Sequence, residues 1–273
     1  MSGYAVVVVL HRSRAHLARL LPTISPDELI VVDTGANDGG AQLAEDHGAR
    51  VIERRDNPGF GAANNVALEH VTAEITVLLN PDIVGSPHAL ARRAHAPGLH
   101  APRLLNEDGT TQRSVHALPG TWGAFVPAVS PLAPVRALPH TATRPRTVGW
   151  AVAAALAART QTLRDLGPFD PQIHLFAEDM DLCLNARARG IPTIFHPDLT
   201  LTHTGRHSVD NEPFEVLARQ RRDVIRRRLG TKAQRRDDAA QLLTFATRAL
   251  AKAPYNDRER AQLGALSKVL LTK

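Results

Sequence analysis

Residues 4–10, YAVVVVL, begin the chain with an uninterrupted apolar run that is rich in valine. The run is too short to cross a membrane, and His11 and Arg12 end it, so it predicts a buried β-strand. Further strands are predicted at 29–33, 49–53 and 75–79, with helices near 13–21, 39–47 and 60–70 between them. This alternation predicts an α/β domain with a mostly parallel central sheet flanked by helices.

The bulk composition is that of a folded, enzyme-sized protein. The chain has 273 residues, 43% of them hydrophobic and 22% charged, which suits one large domain or a domain with an appendage. The single cysteine, Cys183, excludes an internal disulfide and favours a reducing compartment. No apolar run approaches a membrane span, so we expect a cytoplasmic protein that is at most peripheral at the inner face of the membrane.

Acidic residues follow two of the predicted strands. Asp33 and Asp82 come at strand ends, and the carboxyl ends of parallel strands are where ligands bind in open α/β sheets. Each acid has a plainer explanation, since Asp often forms turns, and Asp38 fits an Asx-turn and the start of a helix. The combination of these residues therefore carries more weight than any one of them.

Five segments together resemble a known family. In order and spacing they are similar to the motifs of the family 2 inverting glycosyltransferases, within their rhamnosyltransferase-like branch. The resemblance covers about residues 4–209 and implies a GT-A-like nucleotide-binding fold that transfers a sugar from a nucleotide-sugar donor. The five segments are VVDTGANDGG (31–40), NPGFGAANN (57–65), VLLNPD (77–82), FAEDMDLCL (176–184) and HTGRHS (203–208).

The resemblance also implies roles for individual residues. Asp179 takes the position of the catalytic base, and crowding by neighbouring acids would raise its pKa toward a useful range. Asp82 and His203 would hold a divalent cation, Mg²⁺ or Mn²⁺, with His207 as a less favoured alternative to His203. The residues implied in binding the nucleotide or substrate are Asp33, Asp38, Asn64, Asn65, Asn80, Trp150, Glu178 and Asp181.

The C-terminal part has helical periodicity and an excess of positive charge. We divide the chain into a catalytic domain, 1–212, and a basic helical extension, 213–273. Residues 219–236 hold nine Lys or Arg and one acid, Asp223. Two interpretations are equally weighted: a solvated helix face, or electrostatic attraction to an anionic membrane that carries a lipid-linked acceptor. The extension also has apolar stripes, which could pair helices of two copies of the chain in an oligomer.

The expected donor is a TDP- or UDP-sugar, and the acceptor a glycan, a lipid-linked molecule or a small molecule. The alternative is a non-catalytic scaffold with the same fold, because Asn80 replaces the first acid of the family's Asp-x-Asp. Specific nucleic-acid binding is disfavoured by an aromatic content of only 4%. A dinucleotide-dependent oxidoreductase is disfavoured because Asn64 stands where the third glycine of Gly-x-Gly-x-x-Gly would be.

Overall fold

The computed structural model describes residues 3–35, 37–129, 138–167, 169–205, 214–251 and 257–271. The first half of the fold agrees closely with the prediction. Its strands are β1 (Tyr4–Leu10), β2 (Glu28–Asp33), β3 (Arg50–Glu53) and β4 (Ile75–Leu79), and its helices are α1 (Arg14–Leu20), α2 (Gly40–Asp46) and α3 (Phe60–His70).

Strand β1 lies between β2 and β4 and is parallel to both. Every residue of β1 is buried, and alternate residues enter two different hydrophobic clusters, Val7 and Val9 on one face and Val6 and Val8 on the other. Both faces of a parallel sheet are covered by helices, which explains why the strand is continuously apolar. The pattern at 4–10 therefore places β1 in the interior of the sheet.

The second half of the fold makes the sheet mixed. It contains β5 (Ile83–Val84), α4 (His88–Arg93), β6 (Leu99–Leu105), β7 (Val115–His116), α5 (Val126–Val129), β8 (Arg146–Val148), β9 (Trp150–Ala151), β10 (Ala155–Arg159), α6 (Thr160–Leu166), α7 (Glu178–Ala188) and β11 (Thr193–His203). The main sheet has the order β3-β2-β1-β4-β10-β6-β11-β5, with β8 also paired to β11, and β7 and β9 form a separate pair. Strand β10 is antiparallel to both of its neighbours.

Three strands inside the main sheet, β10, β6 and β11, are absent from the sequence prediction. Residues 96–147 are rich in Pro, His and Arg and weakly periodic, which predicts loops and a hairpin around 106–109, yet β6 lies inside the sheet, parallel to β11. Pro102 and Arg103 within β6 hide its strand character, because Pro is rare in central strands. The predicted hairpin is confirmed, since the amide of Gly109 donates to the carbonyl of Asn106 and Leu105 bridges to Thr111.

The C-terminal region is helical, as predicted, and consists of α8 (Phe214–Ala251) and α9 (Asp257–Leu271). Helix α8 breaks into two arms at Gly230, whose φ of 84° lies in the left-handed region. Val224 and Ile225 of the first arm are buried against Met180 and Leu184 of α7. The extension therefore shares a hydrophobic core with the domain that precedes it. The proposed boundary at 212/213 falls outside the described residues.

Within the described part of the chain, no helix has the length and apolar character that crossing a membrane requires.

Candidate active site

The loop after β2 places Asp33 and Asp38 at one edge of the sheet. Asp33 is buried, and its Oδ1 accepts a hydrogen bond from the amide of Gly35 at 3.1 Å. Asp38 accepts from the amides of Gly40 and Arg14, both at 2.9 Å. Asp38 therefore has the local role expected of an Asx-turn and helix start, because its two oxygens connect the starts of α1 and α2. A contact of either acid with a nucleoside stays a prediction.

The two asparagines of α3 have different surroundings. Asn65 donates from Nδ2 to the carbonyl of Phe169 at 2.8 Å and accepts from the Phe169 amide at 3.0 Å. Both functional atoms of its side chain are thus used to hold the segment that precedes α7. Asn64 is buried and donates to the carbonyl of Phe60. The structure gives Asn65 a structural role that its sequence motif does not indicate.

Asp82 and His203 are brought together by the short strand β5. Ile83 pairs with His203 in the antiparallel β5–β11 ladder, and the amide of Thr204 donates to the carbonyl of Asp82 at 2.9 Å. Their side chains are less than one-fifth exposed, and Nε2 of His203 lies 3.3 Å from Oδ1 of Asp82. Burial raises the pKa of Asp82, but the contact with His203 outweighs it, and the net pKa lies below its ordinary value.

Several features of this pair suit a divalent cation. Oδ1 of Asp82 and Oδ1 of Asn80 are buried and have no well-formed hydrogen bond to any described residue. A Cβ at Gly205 would lie 2.7 Å from His203 and 3.0 Å from Asp82, so glycine keeps the space beside them open. Buried oxygen atoms without a partner are costly unless a ligand satisfies them.

The protein groups at this place do not by themselves complete a cation site. The described residues contain no group of three or more His, Cys, Asp or Glu side chains that could hold a metal ion. Mg²⁺ and Mn²⁺ commonly bind through few protein ligands, with substrate phosphates and water supplying the rest. The residues present fit that kind of shared site.

One residue of this cluster was missed by the sequence reasoning. Gln112, beyond the 106–109 turn, exchanges two hydrogen bonds with His203: its Nε2 donates to the His203 carbonyl at 2.7 Å, and its Oε1 lies 2.9 Å from Nδ1. A single glutamine far from every motif carries no sequence signal. Its position follows from the pairing beside β6, where the Gln112 amide donates to the carbonyl of Leu104.

At the start of α7, two neighbouring carboxyl groups have raised pKa values. Burial, followed by the charge of Asp179, raises the pKa of Glu178 to about 8. Burial raises the pKa of Asp179 to about 6, against hydrogen bonds from the amides of Met180 and Ala153. Oε2 of Glu178 has no hydrogen-bond partner within the described ranges. Carboxyl groups tuned in this way are common at sites of proton transfer.

The backbone connects these carboxyl groups to the Asp82 cluster. The amide of Ala153 contacts Asp179, and the carbonyl of the next residue, Ala154, accepts from the amide of Asn80 at 2.9 Å. Ala153 and Ala154, which follow each other between β9 and β10, therefore contact Asp179 and the backbone of Asn80, respectively. This brings the predicted base and the predicted cation site to the same edge of the sheet.

Asp181 is held in an ion pair within the chain. It is buried and forms a two-point ion pair with Arg228, at 2.9 Å to Nε and 2.7 Å to Nη2. Arg228 also donates to Asn185 at 3.0 Å. Both oxygens of this carboxylate are therefore engaged in joining α7 to α8, and substrate binding by Asp181 stays a prediction.

The basic stretch 219–236 is also largely engaged within the chain. Arg227 contacts Asp170, and Arg221 and Arg222 pair with Asp237 and Asp238 of the second arm of α8. Arg227 and Arg228 therefore join α8 to α7 through Asp181, whereas Arg226 pairs with Asp223 within α8 itself. The exposed cations that remain for the membrane interpretation are Arg219, Lys232, Arg235 and Arg236, together with Arg226, whose partner Asp223 is also exposed.

Trp150 packs against the hydrophobic cluster that includes Ala177 and Met180 at the start of α7. Its ring stacks on His116 with centroids 4.0 Å apart, and Arg221 lies 5.9 Å from its centroid. It borders a cavity of about 240 Å³ that is also lined by Phe214 and Leu217. Trp150 Nε1 is buried and has no hydrogen-bond partner in the described part of the chain. The predicted alternative ligand His207 lies outside the described residues.

The chain is similar to known glycosyltransferases in sequence and in fold. Residues 6–96 match the family described as Glycosyl transferase family 2. Over these residues the chain has the sequence features of a family 2 glycosyltransferase domain. That match includes Asp33, Asn65 and Asp82 and ends before α7, so Asp179 and His203 lie beyond it.

Relatives extend the similarity along the chain. An N-acetylglucosaminyl-diphospho-decaprenol L-rhamnosyltransferase of Mycobacterium tuberculosis is 24% identical over 245 residues, covering 78% of this chain and 80% of the relative. A mannosyltransferase of Pyrobaculum calidifontis, solved with GDP-Man and Mn²⁺, superposes with a TM-score of 0.59 at 16% identity and covers 100% of this chain and 81% of its own. GalNAc-T7, solved with UDP, GalNAc and Mn²⁺, gives 0.61 at 15% identity, with 99% and 55% covered. The fold is the GT-A-like α/β fold of glycosyltransferases.

Proposed function

We propose that this glycosyltransferase moves a sugar from a nucleoside-diphosphate donor to an acceptor hydroxyl in one displacement that inverts the anomeric configuration. The observation that carries the proposal is the shared edge of the sheet, where Ala153 and Ala154 join the raised-pKa carboxyl groups to the Asp82–His203 cluster. One group can accept a proton, and the other can hold a divalent cation that would offset the charge of a leaving diphosphate.

Asp179 is the proposed general base. With a pKa of about 6 it is largely ionised near neutral pH, yet it keeps more basicity than an ordinary Asp. Glu178, with a pKa of about 8, holds its proton in the same range. Asp179 is therefore the carboxylate that takes the proton from the acceptor hydroxyl. Its neighbour Glu178 is neutral and adds no second negative charge beside it.

Asp82 and His203 are the proposed protein ligands of a divalent cation, with Asn80 beside them. When bound, Mg²⁺ or Mn²⁺ would offset the negative charge that develops on the departing diphosphate. The support is the pair of unsatisfied oxygens on Asn80 and Asp82 and the space kept by Gly205. Structures of GT-A relatives with Mn²⁺ are consistent with this assignment.

The relative of M. tuberculosis suggests a donor and an acceptor class. Its name describes rhamnosyl transfer to a lipid diphosphate, and we propose a TDP- or UDP-linked deoxysugar and a lipid-linked or glycan acceptor here. The cavity bordered by Trp150 and Phe214 is the candidate place for an apolar part of that acceptor, since Arg221 on its wall reaches Met180, next to Asp179.

The test is donor turnover by the wild type and Asp179→Asn, measured as release of UDP or TDP from sugar donors in the presence of acceptor glycosides. We expect the variant to lose about 100-fold or more in rate, because it cannot take a proton, while metal-dependent nucleotide binding persists. Asp165→Asn, on the exposed face of α6, is the matched control.

Product configuration, read by NMR, adds an independent check, because a single displacement gives only the inverted anomer. Nucleotide binding without any transfer in the wild type would favour the non-catalytic scaffold. Retained configuration would exclude Asp179 as the base of a single displacement.

A further inference from the structure

The two hydrogen bonds between Gln112 and His203 fix which atoms face each other. Nε2 of Gln112 donates to the backbone carbonyl of His203 at 2.7 Å, which settles the orientation of the amide. The amide oxygen Oε1 then lies 2.9 Å from Nδ1 of the His203 ring. An amide oxygen can only accept, so the proton of this hydrogen bond belongs to Nδ1.

This assignment determines the state of the other ring nitrogen. A neutral imidazole has one N–H and one lone pair, so a proton on Nδ1 leaves the lone pair on Nε2. Nε2 lies 3.3 Å from Oδ1 of Asp82, which is itself only an acceptor when ionised. The place between Nε2 and Oδ1 can therefore be taken either by a proton on Nε2, which lowers the pKa of Asp82 as described above, or by a cation bound to both atoms.

We propose that Gln112 is a positioning residue that holds His203 in the Nδ1–H tautomer and aims Nε2 at the divalent cation. The inference rests on the proposed function, because it takes Asp82 and His203 as the cation's ligands. Hydrogen-bond partners of this kind orient ligating histidines, and their loss commonly weakens metal binding by about 10- to 100-fold.

Gln112 is held rigidly enough for this role. Its backbone amide donates to the carbonyl of Leu104 at 2.8 Å, and the preceding residue, Thr111, bridges to Leu105. This segment folds back from the turn onto the end of β6, and β6 in turn pairs with β11 up to Thr202, next to His203. Both partners are thus placed by one ladder, so their relative position does not depend on a bound metal.

The tautomer is tested by NMR on the metal-free full-length protein labelled with ¹⁵N-histidine. The chain has thirteen histidines, so the His203 signals are assigned by their loss in His203→Asn. We expect a protonated Nδ1 in the wild type and in Gln112→Glu, whose carboxylate still accepts from Nδ1 although it no longer donates to the His203 carbonyl. Gln112→Met, which accepts only weakly, should shift His203 toward the Nε2–H form.

Mn²⁺ binding is then measured by calorimetry in the presence of UDP or TDP. Gln112→Met should bind Mn²⁺ about 10- to 100-fold more weakly, and Gln112→Glu should bind at nearly the wild-type level. If Gln112 served folding alone, Gln112→Met would not bind Mn²⁺ more weakly than Gln112→Glu. Gln42→Met, on the exposed face of α2, is the matched control and should behave as the wild type.

Each arm can overturn a different statement. A wild-type His203 that carries its proton on Nε2, or a Gln112→Met variant with unchanged tautomer and unchanged Mn²⁺ affinity, would overturn the role of Gln112. If the wild type itself showed no Mn²⁺ binding with either nucleotide, the proposed cation site would fail, whatever the tautomer.

Discussion

Replacing Arg228 with methionine tests whether Asp181 is a structural carboxylate or a substrate ligand. The side chain of Asp181 is 3% exposed and that of Arg228 is 30% exposed, and two hydrogen bonds join them. Removing one partner of a buried pair typically costs about 3–5 kcal/mol, because a charge is left without compensation. Arg227 still lies 3.3 Å from Asp181, so we expect the lower end, a loss of about 3 kcal/mol.

The assay is urea unfolding of the wild type, Arg228→Met, Asp181→Asn and the double variant. Because the asparagine carries no charge, the double variant should be less destabilised than the sum of the two single changes. The control is Arg226→Met, whose partner Asp223 is exposed, and an exposed pair contributes about 0.2–1 kcal/mol. Unchanged stability of Arg228→Met, together with lost nucleotide binding in Asp181→Asn, would refute the structural assignment.

Three further outcomes follow from the site. The ratio kcat/KM should fall as the pH drops below about 6, because the raised pKa of Asp179 leaves the base protonated there, and a pH–rate profile flat from 5 to 7 would contradict this role. Gly205→Ala should weaken Mn²⁺ binding in calorimetry, since its Cβ would lie 2.7 Å from His203; unchanged affinity would contradict the proposed site. Asn65→Leu should lower the free energy of unfolding by about 1–3 kcal/mol by leaving the Phe169 backbone groups unpaired, and a thermal melt identical to wild type would argue against that clamp.

The parts of the site that local sequence predicts are those at strand ends. Asp33 and Asp82 each follow an apolar run, and the rule that ligands gather at the carboxyl edge of a parallel sheet places them correctly. The helix from 178 to 188 is likewise visible from its acidic start and from Gly190 after its end.

Long-range pairing decides the rest, and short patterns do not contain it. Strand β6 carries Pro102, and β11 carries Pro197 and Asp198, so neither has the periodicity of a buried strand. The meeting of Asp82 with His203 depends on the β5–β11 ladder, and the loss of Asp181 to Arg228 depends on how α8 docks. A motif can indicate candidate residues such as Asp179 and Asp181. Only the tertiary contacts show which of the two carboxylates is held in an ion pair.

The most direct measurement is calorimetric titration of UDP and TDP, with and without Mn²⁺, into the wild type, Asp82→Asn and the surface control Asp165→Asn. We predict binding of at least one nucleotide that requires Mn²⁺, is unchanged in the control and is at least about tenfold weaker in Asp82→Asn. Nucleotide binding that needs no metal and is equally tight in Asp82→Asn would contradict the assignment of Asp82 to the diphosphate's cation.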